Sequence, residues 1–276
     1  YADLWYGCAV EGCVSLTVRD QAAYHDLTQY GIPGEVYAMP RPATPYLQEV
    51  GKDPGKLRIG MIKTAADGQA IHPECVAAVE NAANLLESLG HYVEETAYTF
   101  DFGQLTEVFA RIACAATAAG ILSSEPHVGR PPRQGDFTTV IQEMLERGQK
   151  QNAAEHYQDV ETMHQIGWAI AADCDPYDVV LTPTLPQPPR KVGYFDMSLP
   201  FDKLNYEILL PEVVFTIPHN ISGLPGISLP LHWSADGLPC GVQFLTKHAN
   251  DGLLFRLAAQ LEKAQPWFDK VPPIHA

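Results

Sequence analysis

The chain contains no C-x-x-C pair and no histidine cluster at zinc-ligand spacing, so neither a zinc ribbon nor a dithiol redox motif is present. It has no continuous apolar run of about 18 residues, which argues against a membrane span. A phosphate-binding loop, a dinucleotide glycine fingerprint, an EF-hand loop and a G-x-S-x-G nucleophile elbow are all missing. Basic residues are scarce. Eighteen Lys and Arg face 33 Asp and Glu, and the resulting net charge of -15 repels nucleic acid and anionic membrane surfaces. The first residue is Tyr1 rather than Met, and no basic-then-apolar leader follows, so a truncated or processed start is expected.

What is present suits a folded core: 46% of the residues are hydrophobic. The six cysteines (Cys8, Cys13, Cys75, Cys114, Cys174 and Cys240) sit mostly in apolar segments and read as buried free thiols of a reducing, cytoplasmic environment. A helix is expected from about Ser15 or Thr17 to Leu27, followed by an irregular Pro- and Gly-rich crossing over residues 31–54. Residues 57–62 form a short apolar strand. Residues 73–89 form a helix with Pro73 in its first turn, Gly90 just past its end, and Val76, Val79, Ala83, Leu86 and Leu89 on its buried stripe. Residues 91–97 give a second strand, and the three elements make a βαβ unit with a parallel crossover.

Residues 105–122 are alanine-rich and helical, and three prolines break the chain over residues 124–136. Residues 137–172 are mostly helix. Residues 177–181 read as a strand buried on both faces, with a proline-studded exit. Beyond a loose segment, strands at 226–231 and 241–245 are joined around Ala235-Asp236-Gly237, where Gly tolerates positive φ. Asn250 or Asp251 caps a last helix over residues 252–263, and the tail is proline-rich. Alternating strands and helices predict an α/β fold, with the late hairpin making a mixed β-sheet flanked by helices.

No catalytic constellation is visible in the residues alone. Ser123-Ser124 terminates a helix without a glycine turn to expose it. Ser222 lies in a proline-flanked loop, where it either bonds local backbone or touches a ligand. His219, beside Asn220, is either an acid or base next to a pocket or a hydrogen-bonded loop residue. Cys114 lies in a helix of small residues and lacks a visible activator. Those small residues permit close helix packing, or leave room for a substrate.

Several stretches, in order, resemble the amidase-signature hydrolases: GCVSLTVRDQAAY, LRIGMI with IHPECVAAVENAANLLESLGHYVEE, YDVVLTPTLPQPP, FTIPHNISGLPGISLP, DGLPCGVQFL and LLFRLAAQLE. Two positions depart from that pattern. His219 stands where the family usually has an aromatic, and Cys240 where it usually has Val. The resemblance implies amide hydrolysis by a Ser-Ser-Lys triad, without metal or cofactor. It also implies that the Lys and both serines belong to the family's N-terminal half, so residues 1–276 correspond to the C-terminal portion of one domain and no residue here inherits a triad role. The cysteine-bearing helix is similar to that of bacterial hydrolases of cyclic amides. On this reading Cys114, Phe215, Ile217, His219, Asn220 and Ser222 form part of the wall around a small-molecule amide substrate. The chain alone is expected to be inactive and to need a partner, either its own N-terminal portion or another copy. Two other classes stay open: a non-catalytic amidase-like binding or regulatory subunit, and a self-sufficient hydrolase using Cys114 or Ser222.

Overall fold

A computed structural model describes residues 4–31, 33–34 and 39–272. Part of the expected crossing at 31–54 and the end of the proline-rich tail lie outside the described residues. The elements run in chain order α1 (Val18–Thr28), β1 (Arg58–Met61), α2 (Pro73–Ser88), β2 (Tyr92–Glu95), α3 (Phe102–Ser123), α4 (Glu125–Val128), α5 (Thr139–Lys150), α6 (Ala153–Cys174), β3 (Val179–Pro183), a π-helical stretch at Lys203–Leu209, α7 (Leu210–Glu212), α8 (Ile217–Ser222), β4 (Gly226–Trp233), β5 (Pro239–Thr246) and α9 (Asp251–Ala264).

The five strands form one mixed sheet in the order β2-β1-β3-β5-β4. β1 is parallel to both β2 and β3, while β5 runs antiparallel to both β3 and β4. All five residues of β3 are buried, as its apolar run predicted, because it lies at the centre of the sheet with helices on both faces. Alternation along the strands divides the core. Val179 and Leu181, with Val242 and Phe244, face α2 and α9. Val180 and Leu245 point the other way, toward Ile166 and Ile170 of α6 and Leu210, Phe215 and Ile217.

The helix ends follow local chemistry. Thr17 Oγ1 accepts from the Asp20 amide at 3.1 Å, and Asp101 Oδ1 accepts from the Gln104 amide at 3.0 Å. Gly90 takes φ 92° beyond α2, in the left-handed region that glycine enters freely. The β4–β5 turn is closed by the Gly237 amide on the Ser234 carbonyl at 2.8 Å.

Residues 137–172 are mostly helix, as expected, in the form of α5 and α6. Between them Asn152 takes an extended backbone and caps α6 with its side-chain oxygen on the Ala154 and Glu155 amides, while Glu155 reaches back to the Asn152 amide. This capping box restarts the helix after α5. Two expectations are corrected. The segment carrying His219 and Ser222 is not a loop. Pro218 fits the first turn of a short helix, and Gly223 ends it with φ 67°. The preceding loose segment is also helical over residues 203–212.

α3 and α4 together form the one stretch among the described residues with the length and composition to cross a membrane. Here α3 packs instead on α5 and α6, burying Leu105, Val108, Ile112 and Cys114.

Candidate functional site

The proposed wall residues fall into two groups. Phe215, Ile217, His219 and Ser222 are buried, around and within α8, and Asn220 is half-buried there. Phe215 and Ile217 pack into the core beside Ile62, Leu105 and Val180. The Phe215 carbonyl accepts from Gln243 Nε2 at 3.1 Å, which satisfies a buried amide of β5. Ser222 Oγ donates to the His219 carbonyl at 3.0 Å, a bond within its own helix. Asn220 Nδ2 donates to the Cys8 carbonyl at 2.9 Å and so ties α8 to the start of the chain.

His219 Nε2 lies 2.8 Å from the Tyr98 hydroxyl, and its Nδ1 is buried without a partner among the described residues. Burial pushes the imidazole down to about 3, so it is neutral at neutral pH. Burial also raises the Tyr98 phenol well above its ordinary value. This pair holds no charge and sits far from the pKa suited to acid–base work near pH 7.

Cys114 stands apart from α8. It packs with Ala110, Val140, Phe201 and Leu204, at the base of a cleft of about 310 Å³ between α3, α5 and the segment around residues 201–206. The rim is polar. Arg111 donates to Asp159 through Nε and Nη2, the closest contact being 2.7 Å, and Gln151 Nε2 reaches the same carboxylate at 2.7 Å. Arg147 grips Asp202 with two bonds of 2.8 and 2.9 Å, and its guanidinium lies 4.5 Å from the Phe201 ring centre. Burial pushes the Cys114 thiol up to about 11, so a thiol and not a thiolate faces the cleft. Close packing explains the small residues nearby. A Cβ on Gly148 of α5 would overlap the Cys114 carbonyl and the Ala118 methyl.

Burial likewise raises Cys75 and Cys174, both to about 12, and raises Cys240. Ser123 and Ser124 each donate to a backbone carbonyl of their own helix. Among the described residues, no group of His, Cys, Asp and Glu is arranged to hold a metal ion. The Arg111–Asp159 and Arg147–Asp202 pairs escaped the sequence reading because their members are 48 and 55 residues apart. No local spacing marks them.

Comparison with known proteins places this geometry. Residues 4–255 match the family model described as Amidase. The chain belongs to the amidase family. It is 31% identical to the 6-aminohexanoate-cyclic-dimer hydrolase of Paenarthrobacter ureafaciens, over 97% of this chain and 56% of that protein. It is 30% identical to a putative amidase of Synechocystis sp., over 95% of this chain and 48% of that protein. A solved structure of 6-aminohexanoate cyclic dimer hydrolase complexed with substrate superposes with a TM-score of 0.87 at 30% identity, covering 93% of this chain and 55% of that one. A bacterial aryl acylamidase of the amidase-signature enzymes shares the fold, with a TM-score of 0.76 at 20% identity over 94% of this chain and 54% of that one. The chain therefore spans about half the length of the relatives it matches.

Proposed function

We propose that this chain takes part in the hydrolysis of a carbon–nitrogen amide bond, supplying sheet and substrate-pocket wall to a Ser-Ser-Lys triad carried outside these residues. The observation that carries the reading is the pairing of family membership with the unactivated surroundings of Cys114, Ser222 and His219. These three candidates are quenched by their surroundings: Cys114 by desolvation, Ser222 by its bond to the His219 carbonyl, and His219 by burial as a neutral ring. A self-sufficient hydrolase built on Cys114 or Ser222 is disfavoured for the same reasons. The family relation to 6-aminohexanoate-cyclic-dimer hydrolases points to a small-molecule amide as substrate.

In this reading Cys114 lines the cleft as a small, unreactive wall, and the α8 segment with Phe215, Ile217, His219, Asn220 and Ser222 holds that wall in place from the core. The sheet supports a partner. Among the described residues β2 and β4 each have one neighbour, which leaves an eight-residue strand, β4, with no partner on its outer edge. The partner is the N-terminal portion of the same enzyme, or another copy of the chain. The free thiols suit a reducing compartment such as the cytoplasm.

The test is an aryl-amide assay of the 276-residue chain, alone and with an amidase N-terminal portion supplied in trans or in frame. Turnover is expected only with the added portion. Turnover by the chain alone, abolished by Cys114→Ala or Ser222→Ala, overturns the proposal. If the gene encodes no Lys and Ser-Ser-Gly-Gly run in frame, the alternative of a non-catalytic, amidase-like binding or regulatory subunit replaces it.

A further inference from the structure

A second cleft lies away from Cys114, where the proline-rich exit from β3 folds over α7. Its volume is about 310 Å³, and its wall is largely apolar, including Leu185, Val192, Phe195 and Val213. Set into that wall are Arg190, Lys191 and Glu212. The Glu212 side chain is only 8% exposed, and Arg190 holds it through Nε at 2.8 Å and Nη2 at 2.5 Å, both on Oε1. The Tyr194 ring centre lies 4.7 Å from the Arg190 guanidinium, so stacking and the carboxylate together fix its orientation. Only one edge of the guanidinium is used. Its Nη1 group and the Lys191 ammonium have no side-chain partner among the described residues.

Counting charges at this wall gives two cations against one carboxylate, a local positive excess on a chain of net charge -15. Lining by apolar surface with a few placed polar groups is the common build of a small-molecule site. The geometry points to this cleft as a binding site for an aliphatic carboxylate, whose chain lies on Leu185, Phe195 and Val213 and whose carboxylate meets Arg190 Nη1 and Lys191 Nζ. Glu212 works as the positioning residue: it holds Arg190 and, by repulsion, keeps a bound carboxylate on the far edge of the guanidinium. The inference names a ligand class for the proposed amide hydrolase and rests on that reading only for where the ligand comes from. An acyl product and an amide substrate with a carboxylate beyond its amide share this chemistry.

The experiment is calorimetric titration of the chain with straight-chain carboxylates of about four to eight carbons, the matching primary amides and amines, and N-acyl amino acids of similar length. Carboxylates are expected to bind at least about tenfold more tightly than the matching amides and amines, the scale of one charge-assisted hydrogen bond. Tighter binding of the N-acyl amino acids assigns the site to substrate, and equal binding of the free acids assigns it to product. Lys191→Gln, at an exposed position, should reduce the carboxylate preference several-fold. Arg190→Gln leaves Glu212 buried and uncompensated and risks the fold. The double variant Arg190→Gln/Glu212→Gln removes both charges, and it should lose the preference while its thermal unfolding stays cooperative. Equal binding of carboxylates and amides, saturation by none of the probes, or a preference unchanged in the folded variants overturns the inference. Because the titration reads no turnover, it stands or falls separately from the amide-hydrolysis assay.

Discussion

At the scale of single residues, His219 shows how the same side chain changes meaning with its surroundings. The sequence left it between an acid–base role and a structural one. Its ring is buried, with Nε2 on Tyr98 and Nδ1 unpartnered among the described residues, and burial keeps it neutral, which argues against the acid–base role. A pH signature follows. Its folded pKa lies at about 3, below the ordinary value of 6.5, so the unfolded chain binds a proton that the folded chain refuses. Stability is therefore complete above about pH 6.5 and falls as the pH drops toward about 3, with a loss of about 2 kcal/mol by pH 5. Glu49, held down to about 2 by Lys52, Thr44 and Arg256, loses its contribution only below its ordinary value of 4.5, so it does not obscure the window between pH 5 and 6.5. Urea titrations across that window should show His219→Phe with a flatter pH dependence than the parent chain. At pH 7 its stability should lie within about 1 kcal/mol, since the freed Tyr98 hydroxyl offsets the removal of an unpaired nitrogen. An unchanged slope between the two proteins removes His219 as its source.

At the scale of elements, helix packing rests on two close approaches. A Cβ on Gly148 would strike the Cys114 carbonyl of α3, and one on Gly167 of α6 would lie 2.9 Å from the Ile221 carbonyl of α8. Gly148→Ala raises intrinsic helix propensity by about 1 kcal/mol, yet it should destabilise the chain by about 1–3 kcal/mol, because backbone cannot yield as a flexible side-chain tip can. Chemical denaturation measures the sign. A stabilised variant means that α3 and α5 do not approach this closely. The break between α5 and α6 gives a second test. Asn152→Ala removes both cap acceptances and should cost about 1 kcal/mol, with a smaller loss for Asn152→Gly. Asn152 and Glu155 stand at capping-box spacing, a break that a reading of residues 137–172 as mostly helix does not place. Pro218 and Gly223 bound α8, although the proline richness of the segment reads as a loop in the sequence.

At the scale of the molecule, the outer edges of β2 and β4 have no strand partner among the described residues, and some apolar side chains project outward: Val14 is 102% exposed and Val192 107%. Val10, Leu16 and Trp168 are exposed as well. Such surface favours association. The chain alone should self-associate in sedimentation experiments and bind an apolar dye, and adding an amidase N-terminal portion should suppress both. A monodisperse monomer that binds no dye counts against an unfilled partner surface.

The order of the five strands along the chain, the central burial of β3 and the antiparallel hairpin were all determined by the sequence, because apolar periodicity, Pro and Gly positions and the Asp236-Gly237 turn act over a few residues. The family was legible for a related reason: its motifs are contiguous stretches set in a fixed order. Tertiary structure decided what those stretches bring together. It placed Cys114 in a cleft apart from α8, where sequence reasoning had joined them. It set Arg111 against Asp159, Arg147 against Asp202 and Arg190 against Glu212. It made a neutral, buried ring of His219. Those outcomes depend on desolvation and on contacts between residues far apart in the chain, and neither is encoded in any local pattern.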